Sequence, residues 1–549
     1  MKNKLYSKRL KIHNSILRIK TYSKYFWISC LCLGVVRRSS FDNKSFQVLA
    51  SNRKIKVKIS FMLTFRLYHF GFLVAIYGFR LDPTAFKEIH NGLFLRSLSD
   101  GLDFKRAIKY KTLGFGRRRY LNSRIVFLEG CRSAYIRMAG NGNSYLTIRE
   151  TAISDRNIYQ AKILIAWLWS SIFRFLPRRF KPILLYEKKS SKYEESASML
   201  FERLVDYGYK EVRFILSKPA VDSLAIDSKY RDQIIIKGSL KHYIAFFLCR
   251  TFISTESPAH AIDLRIANPY ALEKLARRHF DFVFLQHGVS YMISLGAKER
   301  RNFRPGKIFP DNTKVVVSSQ LEADEFRVNA GFLERNIYVT GLPKFDRRVR
   351  FSQHDKIMIM PTWRPWDYNL IALDVRNSSY YRMCVDIVGS VPDELKEKII
   401  LMPHPLIMDS LRDTDLSGYL TDLSYEHALR SASILITDYS SIAYDAFNRG
   451  CVVAFWWKEK DECMAKYGGD LMLTEENAFG PVSFCGEQLR GVISEQYGRD
   501  VGDDYLRKFR EIVNDFESNS TDLLIERIIK DGLLRRTRAF IGVGRNSVI

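Results

Sequence analysis

The chain has 549 residues, which is too long for one hydrophobic core and predicts several domains. Hydrophobic residues make up 46% of the chain and charged residues 27%, a composition that excludes a wholly disordered protein. Because 87 Lys and Arg stand against 59 Asp and Glu, the formal net charge is +28 and an anionic partner is expected. Nucleic acid, anionic lipid and a phosphate-rich substrate are the three candidates.

Residues 1–50 are basic and weakly patterned, so we expect an N-terminal arm that is either mobile or a loosely attached helix. Residues 51–158 alternate apolar and polar side chains in several runs, for example at 54–61. The Asn-Gly-Asn sequence at 141–143 is typical of a hairpin turn. This second segment is therefore predicted to be a small β-rich module.

Residues 159–181 are predicted to contain an aromatic and aliphatic helix that holds Trp167 and Trp169 and ends before Pro177. Basic residues follow at once: Arg178, Arg179 and Lys181. Two interpretations stay open, an amphipathic helix on a membrane surface and a buried linker between domains. Because we find no run of about 20 apolar residues, we expect peripheral attachment at the cytoplasmic face of the membrane.

From residue 182 onward, short apolar strands alternate with helical patterns. One series runs over 182–350 and a second over 351–530, and a basic tail follows at 531–549. This alternation predicts an α/β protein with two doubly wound Rossmann-like domains that face a cleft. In such sheets the ligand sites lie at the carboxyl ends of the parallel strands.

Two histidines follow predicted strands. His287 could take a proton from an attacking hydroxyl, and Gly288 beside it would let a ligand approach the backbone. His404 lies between two prolines and could bind a phosphate oxygen or protonate a leaving group. The alternatives are a strand-end histidine bonded to a neighbour and a histidine in a surface loop.

Two further segments could bind phosphate. Arg364 could grip a phosphate, or it could be a surface arginine packed on Trp363. The run from Asp438 to Ser441 links a buried strand to a helix, so Ser440 and Ser441 would stand where free amides and the positive dipole end favour anions. Ordinary N-capping is the alternative.

A further segment, Thr340-Gly341-Leu342-Pro343-Lys344-Phe345-Asp346, lies between His287 and Arg364. Along the chain the order is therefore His287-Gly288, this segment, Arg364, His404 and the run from Asp438 to Ser441. Together they resemble the CDP-glycerol glycerophosphotransferase family, which includes teichoic-acid primases and polymerases, over about residues 184–528. The resemblance implies a GT-B type fold, with the acceptor on the N-terminal Rossmann-like domain and the donor nucleotide on the C-terminal one. One departure is Val289-Ser290-Tyr291, where family members often have Thr after His-Gly.

The resemblance also implies roles for individual residues. His287 would be the catalytic base and His404 a pyrophosphate contact. Ser440 and Ser441 would bind the donor phosphates, Asp438 would orient their loop or contact the donor, and Arg364 would lie near the cleft. The remaining motif positions are Gly288, Gly341, Pro343, Asp346 and Thr362.

The expected function is transfer of glycerol phosphate, or a related alditol phosphate, from a CDP-activated donor to a teichoic-acid-like, capsular or lipid-linked acceptor, with release of CMP. We expect no cofactor and no metal. A glycosyltransferase of the same architecture and a non-enzymatic scaffold for polyanions are the alternatives. Nucleic-acid binding is disfavoured because we recognise no nucleic-acid module.

Overall fold

The computed structural model describes residues 13–21, 25–35, 46–50, 55–57, 59–67, 72–85, 90–97, 105–108, 125–138, 144–263, 268–300, 302–346, 354–367, 371, 374–404, 407–514, 519–535 and 537. The chain divides into two compact units. The first combines Met1–Phe175, Gly238–Leu248 and Ile262–His279. The second combines Leu176–Lys237, Cys249–Ala261 and Phe280–Ile549.

The first unit contains antiparallel sheets. Its strands are β1 His13–Thr21, β2 Phe26–Val35, β3 Phe46–Ala50, β4 Ile55–Val57, β5 Ile59–Leu67, β6 Phe72–Leu81, β7 His90–Ser97, β8 Lys105–Ala107, β9 Val126–Leu128, β10 Arg132–Met138 and β11 Ser144–Glu150. One sheet has the order β1-β2-β6-β5, and the other has the order β4-β3-β7-β11-β10-β9, with β8 paired to β7. The prediction of a β-rich module is confirmed.

Part of the segment predicted to be a basic arm is also strand. Residues 1–50 contribute β1, β2 and β3, so this stretch is neither a mobile arm nor a loosely attached helix where it is described. The reason is that β2 is an almost continuous apolar run, which pairs with β6 and places Ile28 and Cys30 in the core. Residues 1–12 and the predicted turn at 141–143 lie outside the described residues.

The second unit holds two parallel sheets. Their strands are β12 Ile183–Tyr186, β13 Val212–Leu216, β14 Ile234–Ile236, β15 Thr251–Ser254, β16 Asp281–Phe284, β17 Lys314–Val317, β18 Ile337–Val339, β19 Lys356–Ile359, β20 Ile399–Leu401, β21 Ala432–Thr437, β22 Val452–Trp456 and β23 Val482–Ser483. The orders β14-β13-β12-β15-β16-β17-β18 and β20-β19-β21-β22-β23 are both doubly wound. The predicted pair of Rossmann-like domains is confirmed.

The helices of the described residues are α1 Asn157–Ile172, α2 Ser196–Asp206, α3 Lys218–Ser223, α4 Ser228–Arg231, α5 Leu240–Leu248, α6 Pro269–Arg277, α7 Gln320–Val328, α8 Ser379–Ser390, α9 Met408–Leu411, α10 Tyr425–Ser431, α11 Ile442–Asn448, α12 Lys460–Tyr467, α13 Gly486–Gln496, α14 Asp503–Ile512 and α15 Ser520–Lys530. The strands they connect are apolar on both faces, and every residue of β21 is buried.

Helix α1 packs against α5 and α6 within the first unit. Ile163 and Ala166 are buried, and the ring centroid of Trp167 lies 4.4 Å from that of Tyr270 on α6. The opposite side of α1 exposes large apolar side chains, among them Trp169. The helix therefore combines a packed face with an uncovered apolar face, so neither interpretation of its sequence describes all of it.

The chain returns from the C-terminal Rossmann-like domain to the N-terminal one through α15, which packs on α2. The carboxylate of Asp346 caps this helix. It accepts hydrogen bonds from the backbone N–H groups of Ser520 and Thr521, both at 2.8 Å, and from the Thr521 hydroxyl. Asp346 therefore stabilises the crossing helix.

A buried ion pair also joins the two domains. Lys344 follows β18, and its Nζ lies 2.6 Å from Oδ1 of Asp445 on α11. The same ammonium donates a hydrogen bond of 2.5 Å to the backbone carbonyl of His287. Because both side chains of the pair are buried, each depends on the other for its charge compensation.

We predict that Asp346→Ala lowers the free energy of unfolding by about 1–2 kcal/mol, because the first amides of α15 lose their acceptor. Urea denaturation measures the change. Asp393→Ala is the matched control, because that carboxylate is exposed and pairs with Lys396 at the surface. Equal stability of the two variants would show that the cap is unimportant.

We predict that Lys344→Met lowers the free energy of unfolding by about 3–5 kcal/mol, because Asp445 keeps a buried charge without its partner. Adding Asp445→Leu should restore much of the lost stability, because both buried charges are then gone. Chemical denaturation of the single and double variants measures both effects. A double variant as unstable as Lys344→Met would contradict the pairing.

Candidate functional site

The predicted site residues follow the strands of both parallel sheets. His287 and Gly288 come after β16, and the segment from Gly341 to Asp346 comes after β18. In the second sheet the corresponding residues follow β19, β20 and β21: Thr362, Arg364, His404, Asp438, Ser440 and Ser441. Because the strands in each sheet are parallel, these residues share its carboxyl edge.

The His287 loop begins with a left-handed residue. Gln286 has φ +58°, a conformation that is unfavourable for a residue with a side chain. A buried network holds it, since Gln286 Nε2 donates to Glu322 Oε1 at 3.2 Å and the Ser290 N–H donates to the same oxygen at 2.6 Å. Burial raises the pKa of Glu322, although the hydrogen bonds that its carboxylate accepts act in the opposite direction. The network leaves the His287 side chain 50% exposed.

Gly288 lies against the start of α11 in the other Rossmann-like domain. A Cβ atom built on Gly288 would lie 2.9 Å from Ser441 Oγ and 3.3 Å from Ser441 Cβ. A larger residue here would have to displace the Ser441 side chain, so the close approach favours glycine. The contact brings the His287 loop beside Ser441.

A carboxylate that sequence reasoning missed lies beside His287. Oε2 of Glu195 is 3.7 Å from His287 Nδ1, and Oε1 of Glu195 is 2.7 Å from Lys188 Nζ. Burial works against the charged form of Glu195, yet the interaction with His287 and the charges of Lys188 and Lys344 outweigh it. They hold the pKa of Glu195 below its ordinary value. The imidazole therefore stands next to an ionised carboxylate.

Asp438 fastens two loops of the C-terminal domain together. Its buried Oδ1 accepts hydrogen bonds from the Thr362 N–H at 2.7 Å, the Thr362 hydroxyl at 2.6 Å and the Tyr439 N–H at 2.7 Å. This arrangement fits an orienting role for Asp438 and gives Thr362 a structural part. The second oxygen, Oδ2, lies 4.0 Å from Nη2 of Arg364.

Arg364 is only 3% exposed and is therefore not a surface arginine. Its Nη2 lies 2.5 Å from Oε2 of Glu459, a residue that sequence reasoning also missed. Burial disfavours the guanidinium charge, but Asp438 and Glu459 outweigh burial and raise the pKa of Arg364. Direct donor binding by Arg364 stays a prediction, and the geometry makes it the counter-charge of Asp438.

His404 is partly buried, with its ring centroid 5.2 Å from that of Trp363. Burial lowers the pKa of His404, so the ring is neutral near pH 7 and keeps one N–H that can donate. Its predicted contact with the donor stays a prediction. Among the described residues we find no group of three or more His, Cys, Asp or Glu side chains arranged to hold a metal ion.

The other motif residues shape the domain junction. Gly341 has φ +77°, which favours glycine, and its N–H donates to the carbonyl of Val317 at 3.1 Å. Pro343 is buried in the turn that presents Lys344. Sequence reasoning quoted Lys344 within the motif without choosing it as a site residue, and nothing in the sequence paired it with Asp445.

Comparison with known proteins identifies the family. The family described as CDP-Glycerol:Poly(glycerophosphate) glycerophosphotransferase matches residues 168–530. The minor teichoic acid biosynthesis protein GgaB of Bacillus subtilis (strain 168) is 27% identical over 326 residues, which are 54% of this chain and 34% of GgaB. The chain thus spans about a third of the length of the curated relative it matches.

Solved structures give weaker similarity. The wall teichoic acid polymerase TagF is 17% identical, with a TM-score of 0.46, over 69% of this chain and 99% of that chain. The glycotransferase of kitacinnamycin is 12% identical, with a TM-score of 0.35, over 64% and 100%. The assignment rests on the family match. The chain belongs to the CDP-glycerol:poly(glycerophosphate) glycerophosphotransferase family.

Proposed function

We propose that the chain transfers glycerol phosphate from CDP-glycerol to a hydroxyl group of a polyol phosphate polymer or lipid-linked acceptor and releases CMP. The observation that carries the proposal is the close approach of Gly288 to Ser441, which sets His287 beside the paired serines at the carboxyl edges of both sheets. The family match over residues 168–530 supports the choice of donor.

The proposed chemistry is a direct displacement at phosphorus. The acceptor oxygen attacks the phosphorus that carries the glycerol, and His287 takes the hydroxyl proton. The bond from that phosphorus to the bridging oxygen breaks, and its electron pair leaves with CMP. Such reactions gain most of their rate from positioning and from stabilisation of charge on the phosphoryl oxygens.

The donor side supplies groups for that charge. Hydroxyls of Ser440 and Ser441 would donate hydrogen bonds to the diphosphate. The first three amides of α11 already donate, to Ser440 Oγ at 3.4 Å and to the carbonyls of Ser440 and Ser441, both at 3.2 Å. A neutral His404 would donate one N–H to a phosphate oxygen. The guanidinium of Arg364 offsets the carboxylate of Asp438, so that this buried anion repels the donor less.

We predict that His287→Ala lowers transfer by roughly 10²- to 10⁴-fold, because the acceptor hydroxyl loses its base. Mass spectrometry of products from CDP-glycerol and a lipid-linked acceptor measures the transfer. The exposed His279 provides the matched control, His279→Ala, with expected activity equal to the unmodified protein. Near-normal transfer by His287→Ala would contradict the assignment.

The same assay separates the alternatives when donors are compared. The proposal expects products that grow by glycerol phosphate or a related alditol phosphate. Growth by a sugar from a nucleotide sugar would instead identify a glycosyltransferase. Polymer binding without turnover of any donor would identify a scaffold.

We also infer that the protein works at the cytoplasmic face of a membrane, where a nucleotide donor and a lipid-linked acceptor can meet. Support comes from the apolar stripe of α1 and the short segment after it, in which Trp169 is 50% exposed, Ile172 70% and Phe175 79%. Positive charge would add attraction to anionic lipid. No helix among the described residues has both the length and the apolar character to cross a bilayer.

We predict that replacing Leu168 and Ile172 together with Ser weakens binding to vesicles of phosphatidylglycerol and phosphatidylcholine by about tenfold or more. Each buried side chain of this size contributes roughly 1.5–3 kcal/mol. Co-sedimentation measures binding, and a thermal melt confirms folding. Val328→Ser, at another exposed apolar position, is the control and should bind normally.

High salt should release part of the unmodified protein from the vesicles, because salt screens the charge of the lipid and leaves the insertion of apolar side chains largely intact. The double variant should lose binding at low salt as well. If it binds vesicles as the unmodified protein does, α1 is not the membrane contact. Equal sedimentation with neutral and anionic vesicles would exclude the electrostatic contribution.

A further inference from the structure

The backbone of Glu195 is anchored at the start of α2. Its N–H donates to both oxygens of Glu187, at 3.1 Å and 3.0 Å, and the Ser198 N–H donates to the Glu187 carboxylate at 2.7 Å. Because Glu187 is fully buried, water does not compete freely for these hydrogen bonds. The position of Glu195 is therefore set by the helix start.

The two oxygens of Glu195 have different surroundings. Oε1 is engaged by Lys188 Nζ at 2.7 Å. Oε2 is buried and accepts no hydrogen bond from the residues that the structure describes, yet it lies 3.7 Å from His287 Nδ1. Hydrogen bonds in catalytic groups are often long before substrate binds and shorten in the complex. A small rotation of the half-exposed imidazole would close this distance.

The other charged or titratable side chains around this pair include Glu187, Lys188, Glu194, Glu256, His260, Lys344, Tyr425 and Asp445. Lys344 contacts the backbone carbonyl of His287 and is compensated by Asp445. Glu256 is engaged elsewhere, because its Oε2 lies 2.8 Å from His260 Nδ1. Glu195 thus offers a buried carboxylate oxygen that accepts no hydrogen bond from the described residues and lies beside the His287 ring.

We propose that Glu195 is a positioning residue for the reaction, which accepts a hydrogen bond from His287 Nδ1 and so turns Nε2 toward the acceptor hydroxyl. This inference rests on the proposed function of His287. The carboxylate fixes the tautomer with a proton on Nδ1 and leaves the lone pair of Nε2 to receive the acceptor proton. It then stabilises the imidazolium that forms, and keeps its own charge throughout.

Glu195→Gln tests the proposal, because the amide keeps the size of the side chain and removes its charge. We expect kcat to fall roughly 10- to 100-fold, as happens when a partner that orients a histidine is lost. The KM for CDP-glycerol should change little, because the donor binds on the other domain. A fall in kcat with an unchanged KM is expected of a residue that acts on the histidine and not on the donor.

Two control variants test whether the effect is specific to Glu195. Glu194→Gln removes the neighbouring carboxylate, which pairs with Lys192 at 3.3 Å, and should leave kcat unchanged. Glu256→Gln removes the other carboxylate whose charge reaches His287 and should lower kcat less than Glu195→Gln does. Glu195→Asp keeps the charge and should recover part of the rate.

The outcomes separate this inference from the proposed function. Transfer by the unmodified protein with an unchanged kcat in Glu195→Gln would overturn the positioning role and leave the proposed function standing. A slow variant with a lowered melting temperature, whose rate Glu195→Asp does not recover, would assign Glu195 a structural role only, which also overturns the proposal. A larger fall in kcat in Glu256→Gln would assign the role to Glu256 instead.

Discussion

Gly288 approaches Ser441 so closely that a Cβ atom on Gly288 would lie 2.9 Å from the Ser441 hydroxyl oxygen, and this contact joins the two Rossmann-like domains. Each partner comes from the carboxyl edge of its own sheet. Lys344 secures the contact, because its ammonium bridges the His287 carbonyl and the carboxylate of Asp445. The His287 loop of one domain and the Ser441 hydroxyl of the other are thereby held together.

Buried charges in the site are compensated inside the protein. Two buried ion pairs lie in the site, Lys344 with Asp445 and Arg364 with Glu459. Removing one partner would expose the other to the full cost of desolvation. The site therefore depends on residues that do not touch substrate, and their loss would disturb loops on both sides of the cleft.

The sequence predicted the α/β architecture well because fully buried parallel strands form unbroken apolar runs, such as β21 and β22. Strand ends then located His287 and Asp438 at the correct sheet edges. The N-terminal strands were harder, since β2, which buries Ile28 and Cys30, is a short apolar run without the alternation that marks a strand. Its pairing with β6, distant in sequence, defines it as a strand.

Site residues that depend on contacts distant in sequence could not be predicted. Glu195 precedes an ordinary helix, and its link to His287 exists only in three dimensions. Likewise, nothing in the sequence around Glu459 indicated that its carboxylate would pair with the buried Arg364. Asp346 was recognised as a motif residue, yet its use as a helix cap required the distant start of α15.

The nucleotide released from CDP-glycerol tests the central claim most directly, because it reports which bond breaks. Chromatography of a reaction with purified protein and a polyol phosphate acceptor would measure it against the glycerol phosphate transferred. Attack at phosphorus predicts CMP in an amount equal to the glycerol phosphate gained by the acceptor. Release of CDP instead, or acceptor growth without CMP, would contradict the account.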